Sequence, residues 1–214
     1  RRLRARMLPG GEAMLGLPST TEVGRRLPKE AFYRNLKLDA RTRDEFVHLI
    51  ESITIANSVK ATTANLNAGE RVHEIMVLDI RLKGDAQPVR AIEAIASANP
   101  HMLVFCTEPG GVIYVLRKGM HTSTATERLD LVGKDLDTVW DAICSQVIFA
   151  DADGASIDAR IDLAKQRTNL EAEIAKLDAA CRKARQINRR NELFTQLKAK
   201  QRELRQLEAA EKGK

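Results

Sequence analysis

The sequence predicts an α+β body, a small mixed sheet covered by helices, followed by a long C-terminal helical arm that is either a coiled coil or a helical hairpin. Three observations predict it. Segments with apolar residues at every second position alternate with segments where they recur every three or four. Aliphatic side chains must fill the core, because aromatics are 4% of a chain that is 43% hydrophobic. Finally, the 58 residues from Ala155 to Lys212 contain neither proline nor glycine, as a long uninterrupted helix or helix pair requires. A length of 214 residues accommodates one ordinary domain plus such an extension.

Residues 1–26 are rich in Gly, Pro and Arg and read as a basic arm that buries little. The ordered body is expected over residues 27–150. In "LDARTRDEFVHLIESI", Thr42 and Glu45 have capping-box spacing, and Phe46, Leu49, Ile50 and Ile53 follow at helical intervals, predicting a surface helix. From "TIANSVKATTANL" the period becomes two, and "NAGE" at residues 67–70 predicts the turn of a strand pair completed by "RVHEIMVLDIRLKG";. Pro88 opens a short helix with Val89, Ile92 and Ile95 inward, ending at Asn99 before Pro100;. "HMLVFCTEPGGVIYVLRKG" predicts a hairpin about Glu108 to Gly111, and "HTSTATERLDLVG" adds an edge strand;. Asp135 then caps a helix with the stripe Leu136, Val139, Trp140, Ile143 and Val147;.

The tail, residues 155–212, carries apolar or small residues at Leu170, Ile174, Leu177, Cys181, Ala184, Ile187, Phe194, Leu197 and Leu204, with Asn191 and Gln201 in the same series. Their mean step is slightly under the 3.5 of a heptad. A stammer near Ala184 to Ile187 and a break into a hairpin there both explain it. Leu170, Ile174, Leu177, Ile187, Phe194, Leu197 and Leu204 therefore form the expected assembly seam, to be covered by a second helix of this chain, of a second copy or of a partner.

Charge sharpens the picture. The net charge is +6, but the first thirty residues carry seven Lys or Arg against three acids, the middle is slightly acidic, and residues 155–214 have fifteen against nine. Between Arg182 and Arg205 nine cations meet only Glu192 and Glu203. On a helical wheel Arg182, Arg185, Arg189 and Lys200 lie opposite Ile187, Asn191 and Phe194;. They are the candidate nucleic-acid contacts, and an acidic protein surface is the other occupant such a ridge would suit.

Other chemistries find little footing. No Asp or Glu has Lys two residues later, so the acid-x-Lys pair of a metal-dependent nuclease is missing. Its nearest substitutes are Asp79 with Arg81 and, in the tail, Asp158 with Arg160, and arginine gives up no proton. Glu74 and Asp79 differ by five positions, which puts them on opposite faces of a strand. Glu74 ends an apolar row and calls for a cation such as Lys60 or Lys118. The four histidines and three cysteines show no metal spacing, and "TEPGGVIY" lacks the helix and Gly-Lys-Ser/Thr of a phosphate loop. No catalytic residue, metal or cofactor is expected. No apolar run is long enough for a membrane span, the cysteines read as reduced thiols, and the expected location is the cytoplasm.

Taken together, "LGLP", "LPKEAFY", "RVHEIMVLDIRLK", "HMLVF", "YVLRKG" and "ARQINRRNELFTQLKAKQRELRQL" resemble an uncharacterised bacterial family of unknown function. Lys29, Glu74, Asn188 and Asn191 fit its pattern. Members are encoded beside helicases and DNA methyltransferases in restriction-like and phage-defence clusters. The resemblance implies an accessory subunit working with those enzymes on DNA, and it carries over no catalytic residue. The expected protein is thus a non-enzymatic adaptor that assembles with helicase or methyltransferase subunits through its tail, with non-specific DNA contact and self-association as further uses of the same helices. Two alternatives stand beside it: a module that binds nucleic acid directly through tail and arm, and a degenerate metal-dependent nuclease.

Overall fold

The computed structural model describes residues 14–212, and the chain divides into two compact units with the boundary after Ile157. The first unit contains β1 (Glu22–Leu27), α1 (Lys29–Asn35), α2 (Ala40–His48), β2 (Ile50–Val59), α3 (Ala61–Ala64), β3 (Ile75–Leu82), α4 (Val89–Ala98), β4 (Met102–Glu108), β5 (Val112–Leu116), β6 (Met120–Ser123) and α5 (Leu136–Phe149). The six strands lie side by side in chain order. All neighbours are antiparallel except β3 and β4. That parallel pair needs a crossover, and α4 supplies it. The result is a mixed sheet with helices, an α+β body.

Strand alternation divides the core. Ile53, Leu78, Ile80, Leu103, Phe105 and Tyr114 point to one face, where Phe46 of α2 and Ile92 and Ile95 of α4 complete a buried cluster. Ile113 and Val115 point away from it by alternation and are also buried, on the side where α5 packs against β5 and β6. The α5 stripe of Leu136, Val139, Trp140, Ile143 and Val147 is buried throughout. Its N-terminus is held by a capping box in which Asp135 accepts from the Thr138 backbone N–H.

Several boundaries differ from the sequence reading. Glu22–Leu27, mostly within the stretch read as an arm, is an edge strand paired with β2. Its side chains are almost all exposed, so it joins through backbone hydrogen bonds and shows no apolar alternation. Residues 1–13 of that stretch lie outside the described residues. Helix α2 stops at His48, so Ile50 and Ile53 belong to β2. Asp39, not Thr42, caps this helix, accepting from the Thr42 N–H at 2.7 Å. Val89 is exposed at the start of α4.

The β2–β3 connection is a pinned loop in place of a tight turn. The Asp137 carboxylate of α5 accepts from the backbone N–H groups of Glu70, Arg71 and Val72 at 2.8–3.3 Å. A Cβ on Gly69 would lie 2.6 Å from the Val72 carbonyl oxygen and 2.7 Å from Asp137 Oδ1. Only glycine lets the carboxylate come this close.

The second unit is two helices, α6 (Ile157–Lys183) and α7 (Ile187–Lys212). Residues 184–186 are not helical. The short mean step of the apolar series is therefore a break between two helices rather than a stammer within one.

Candidate functional site: the helical hairpin

The two helices of the second unit run antiparallel and pack on each other. Cys181, Leu193 and Leu197 are buried at the centre, with Ile174, Leu177, Ala180 and Ala184 against them. Leu170 and Leu204 are half-buried towards the other end. Across the interface the Lys200 ammonium lies 3.2 Å from Glu173 Oε2 of α6 and 3.0 Å from Glu203 of its own helix. Those carboxylates hold the Lys200 pKa above its ordinary value, Glu203 most and then Glu173.

This packing uses only part of the series read from the sequence. Leu193, which was not in it, is 8% exposed and Leu197 is 6% exposed, whereas Ile187 is 66% and Phe194 52% exposed. The break at residues 184–186 shifts the helical phase, so the inward stripe of α7 keeps Leu197 and Leu204 of that series but takes Leu193 and Lys200 in place of Phe194 and Gln201. With about 100° between successive residues, Leu193, Leu197, Lys200, Leu204 and Leu207 sit on one side. Asn191, Phe194, Lys198, Arg202 and Arg205 stay within about 60° of Ile187 on the other.

The four candidate phosphate contacts are dispersed by the same reset. Lys200 turns towards α6. Arg182 pairs with Asp178 at 2.5 Å and Arg189 with Glu192 at 3.0 Å, all four side chains being exposed. Arg185 is exposed in the inter-helix turn. The described residues thus do not bring Arg182, Arg185, Arg189 and Lys200 into one unpaired ridge. A second strip takes shape instead: Arg190, Lys198, Arg202 and Arg205 flank the exposed Ile187 and Phe194. Lys198 Nζ stands 5.3 Å from the centroid of the Phe194 ring, a cation–π distance. A wheel started from Leu193 would have found this strip. Asn188 and Asn191 are exposed beside the break and serve no buried register.

In the body, two of the polar groups singled out by the sequence, Glu74 and Lys29, have structural partners, and Asp79 differs from them. Glu74 accepts from the Ser58 hydroxyl, lies 3.5 Å from Lys60 Nζ and 3.8 Å from His101 Nδ1. Lys60 is thus the cation its apolar row called for. Lys29 donates to the Ile50 carbonyl at 2.7 Å, fastening α1 to the start of β2. Burial, and then the nearby Lys83, lower its pKa. Asp79 sits in register between Thr54 and Cys106, and its Oδ1 is buried without a hydrogen-bond partner. Desolvation and then Glu108 raise its pKa. Burial likewise pushes the neighbouring Cys106 thiol up to about 12, which makes it a poor nucleophile. Among the described residues no three His, Cys, Asp or Glu side chains gather as metal ligands. No helix among them is long and apolar enough to cross a membrane.

Comparison with known proteins places these features in a family. The model described as "Domain of unknown function (DUF4391)" matches residues 15–204, which takes in both compact units. No curated protein and no solved structure matches the chain.

Proposed function

The chain belongs to the DUF4391 family, a domain of unknown function, and within it we propose that the protein is a non-enzymatic accessory subunit whose α6–α7 hairpin is its assembly arm. The complex it serves is a bacterial, cytoplasmic, restriction-like anti-phage machine acting on DNA, and its partners are the helicase or DNA methyltransferase subunits expected from the resemblance described above.

The observation that carries this reading is the exposure of Ile187 and Phe194 on the outer side of α7. The hairpin already covers its own seam, so these side chains are not needed to hold α6 and α7 together. Burying a large apolar side chain is worth about 1.5 to 3 kcal/mol, so two of them left in water two turns apart on one helix face favour a contact surface there. In the body, Asp79 lacks the lysine two residues on that a metal-dependent nuclease would use, and Glu74 is paired with Ser58 and Lys60.

Direct DNA binding through the same helices is the second reading, favoured by Arg185, Arg190, Lys198 and Arg202, which are exposed. Co-purification separates the two. A tagged full chain expressed with its neighbouring genes should retain helicase or methyltransferase subunits after nuclease treatment. If the association disappears when DNA is digested, the direct-binding reading replaces the adaptor.

A further inference from the structure

We infer that the outer strip of α7 docks an acidic amphipathic helix of a partner protein, with Ile187 and Phe194 as its apolar anchors. This rests on the adaptor reading and names the surface and the chemistry of what it meets. The anchors are seven residues apart, two turns of helix and about 10 Å along its axis, which is the repeat with which one helix reads another. Arg190, Lys198, Arg202 and Arg205 line the strip, and Glu208 at its far end is the one carboxylate within about 60° of it. The other acids of this stretch, Glu192 and Glu203, lie away from it, paired with Arg189 and Lys200.

Charge complementarity and the anchors together select the occupant. Phosphate would use the cations and leave Ile187 and Phe194 against water or a charged backbone. A second copy of this chain would set the same cations against each other in a two-fold contact, which like-charge repulsion opposes. An apolar helix face bordered by Glu or Asp satisfies both the anchors and the cations. The exposed large apolar residues of the first unit, Val23, Val47, Val89 and Val132, sit on separate segments, and none shares a helix face with another.

The test uses the full chain and a labelled three-heptad helical peptide with leucine at its apolar positions and glutamate beside them. A lysine-flanked counterpart and a short DNA duplex serve as competitors. The acidic peptide should bind at least about tenfold more tightly than the lysine peptide, and Ile187→Ala with Phe194→Ala should weaken it at least about tenfold. Lys198→Glu with Arg202→Glu should do the same and flatten its salt dependence. All four side chains are exposed, and an unchanged circular dichroism spectrum confirms that folding is retained. Equal binding of the two peptides overturns the inference, as does indifference to the loss of the anchors. Tighter binding of the duplex, lost on charge reversal but not on Phe194→Ala, assigns the strip to DNA. Sedimentation as a dimer that the anchor substitutions dissolve assigns it to a second copy. If deleting the hairpin abolishes assembly with the co-expressed subunits while the anchor variants assemble normally, the adaptor reading stands and the strip does not.

Discussion

Lys200 of α7 reaches Glu173 of α6 at 3.2 Å, so a cation placed on an outer ridge by the sequence spans the inside of the hairpin. Its charge is used between the helices, where it brackets the small apolar centre formed by Cys181, Leu193 and Leu197. Exposed ion pairs add little to stability and buried leucines add much. Leu197→Ala should therefore cost about 2 kcal/mol or more in thermal unfolding of the hairpin, and Lys200→Ala clearly less. A larger loss at Lys200 would mean that the ion pair, not the leucine layer, holds the helices together.

Asp137 should contribute to acid sensitivity of the body. Desolvation works against its charge, but the N–H donors of Val72, Glu70 and Arg71 and the Arg71 guanidinium prevail and hold its pKa below the usual carboxylate range. A lowered folded value means that the stabilisation is complete above the unfolded pKa and is lost as pH falls through the folded one. Urea midpoints measured from pH 7 down to pH 3 should fall less steeply in Asp137→Asn than in the parent. At neutral pH that variant should be destabilised by about 2 kcal/mol. Gly69→Ala should act in the same direction, because the new Cβ meets the carboxylate itself.

Asp79 should show the reverse sign. Its folded pKa is raised, so its contribution to stability is present below the unfolded value and fades as pH rises through the folded one. Asp79→Asn removes this titration, so its urea midpoint should fall less than the parent's as pH rises from the ordinary carboxylate range towards 7. The same variant examines the nuclease alternative. The parent should leave supercoiled plasmid intact with Mg²⁺ or Mn²⁺, and nicking that Asp79→Asn removes would establish a metal-dependent activity.

Binding to duplex DNA should be weak, independent of sequence and sensitive to salt, since each phosphate neutralised adds about 0.9 to the log–log slope. Arg182 and Arg189 are already paired with Asp178 and Glu192. Reversing Arg182, Arg185 and Arg189 to Glu should therefore lower the slope by less than three free arginines would. A drop of the full amount would show that these pairs open on DNA.

Much of the body is legible from local sequence. The α5 stripe, the Pro88 helix and the strands about Glu108 to Gly111 each combine a period with a cap or turn residue. Misreadings occur where two periods coincide or where no side-chain pattern exists. Phe46, Leu49, Ile50 and Ile53 suit a helix by spacing, yet β2 takes the two isoleucines because its partner β3 offers Leu82 and Ile80 in register. β1 hides because an edge strand with exposed side chains leaves no alternation to read. In the hairpin, the phase of α7 is set by three non-helical residues that carry neither Pro nor Gly, and Leu193 and Phe194 are both apolar. Only packing against α6 chooses between them, and that choice turns Lys200 inward and the Phe194 strip outward.

The central claim is that the hairpin is the assembly arm, and co-purification of two tagged forms with the neighbouring helicase and methyltransferase subunits tests it most directly. One form is the full chain and the other ends after Ile157, where the first compact unit closes. The account predicts a nuclease-resistant complex at fixed stoichiometry with the full chain, and none with the shortened form, which should remain folded because its sheet and covering helices are complete by Phe149. A folded short form that still retains the partners would contradict it.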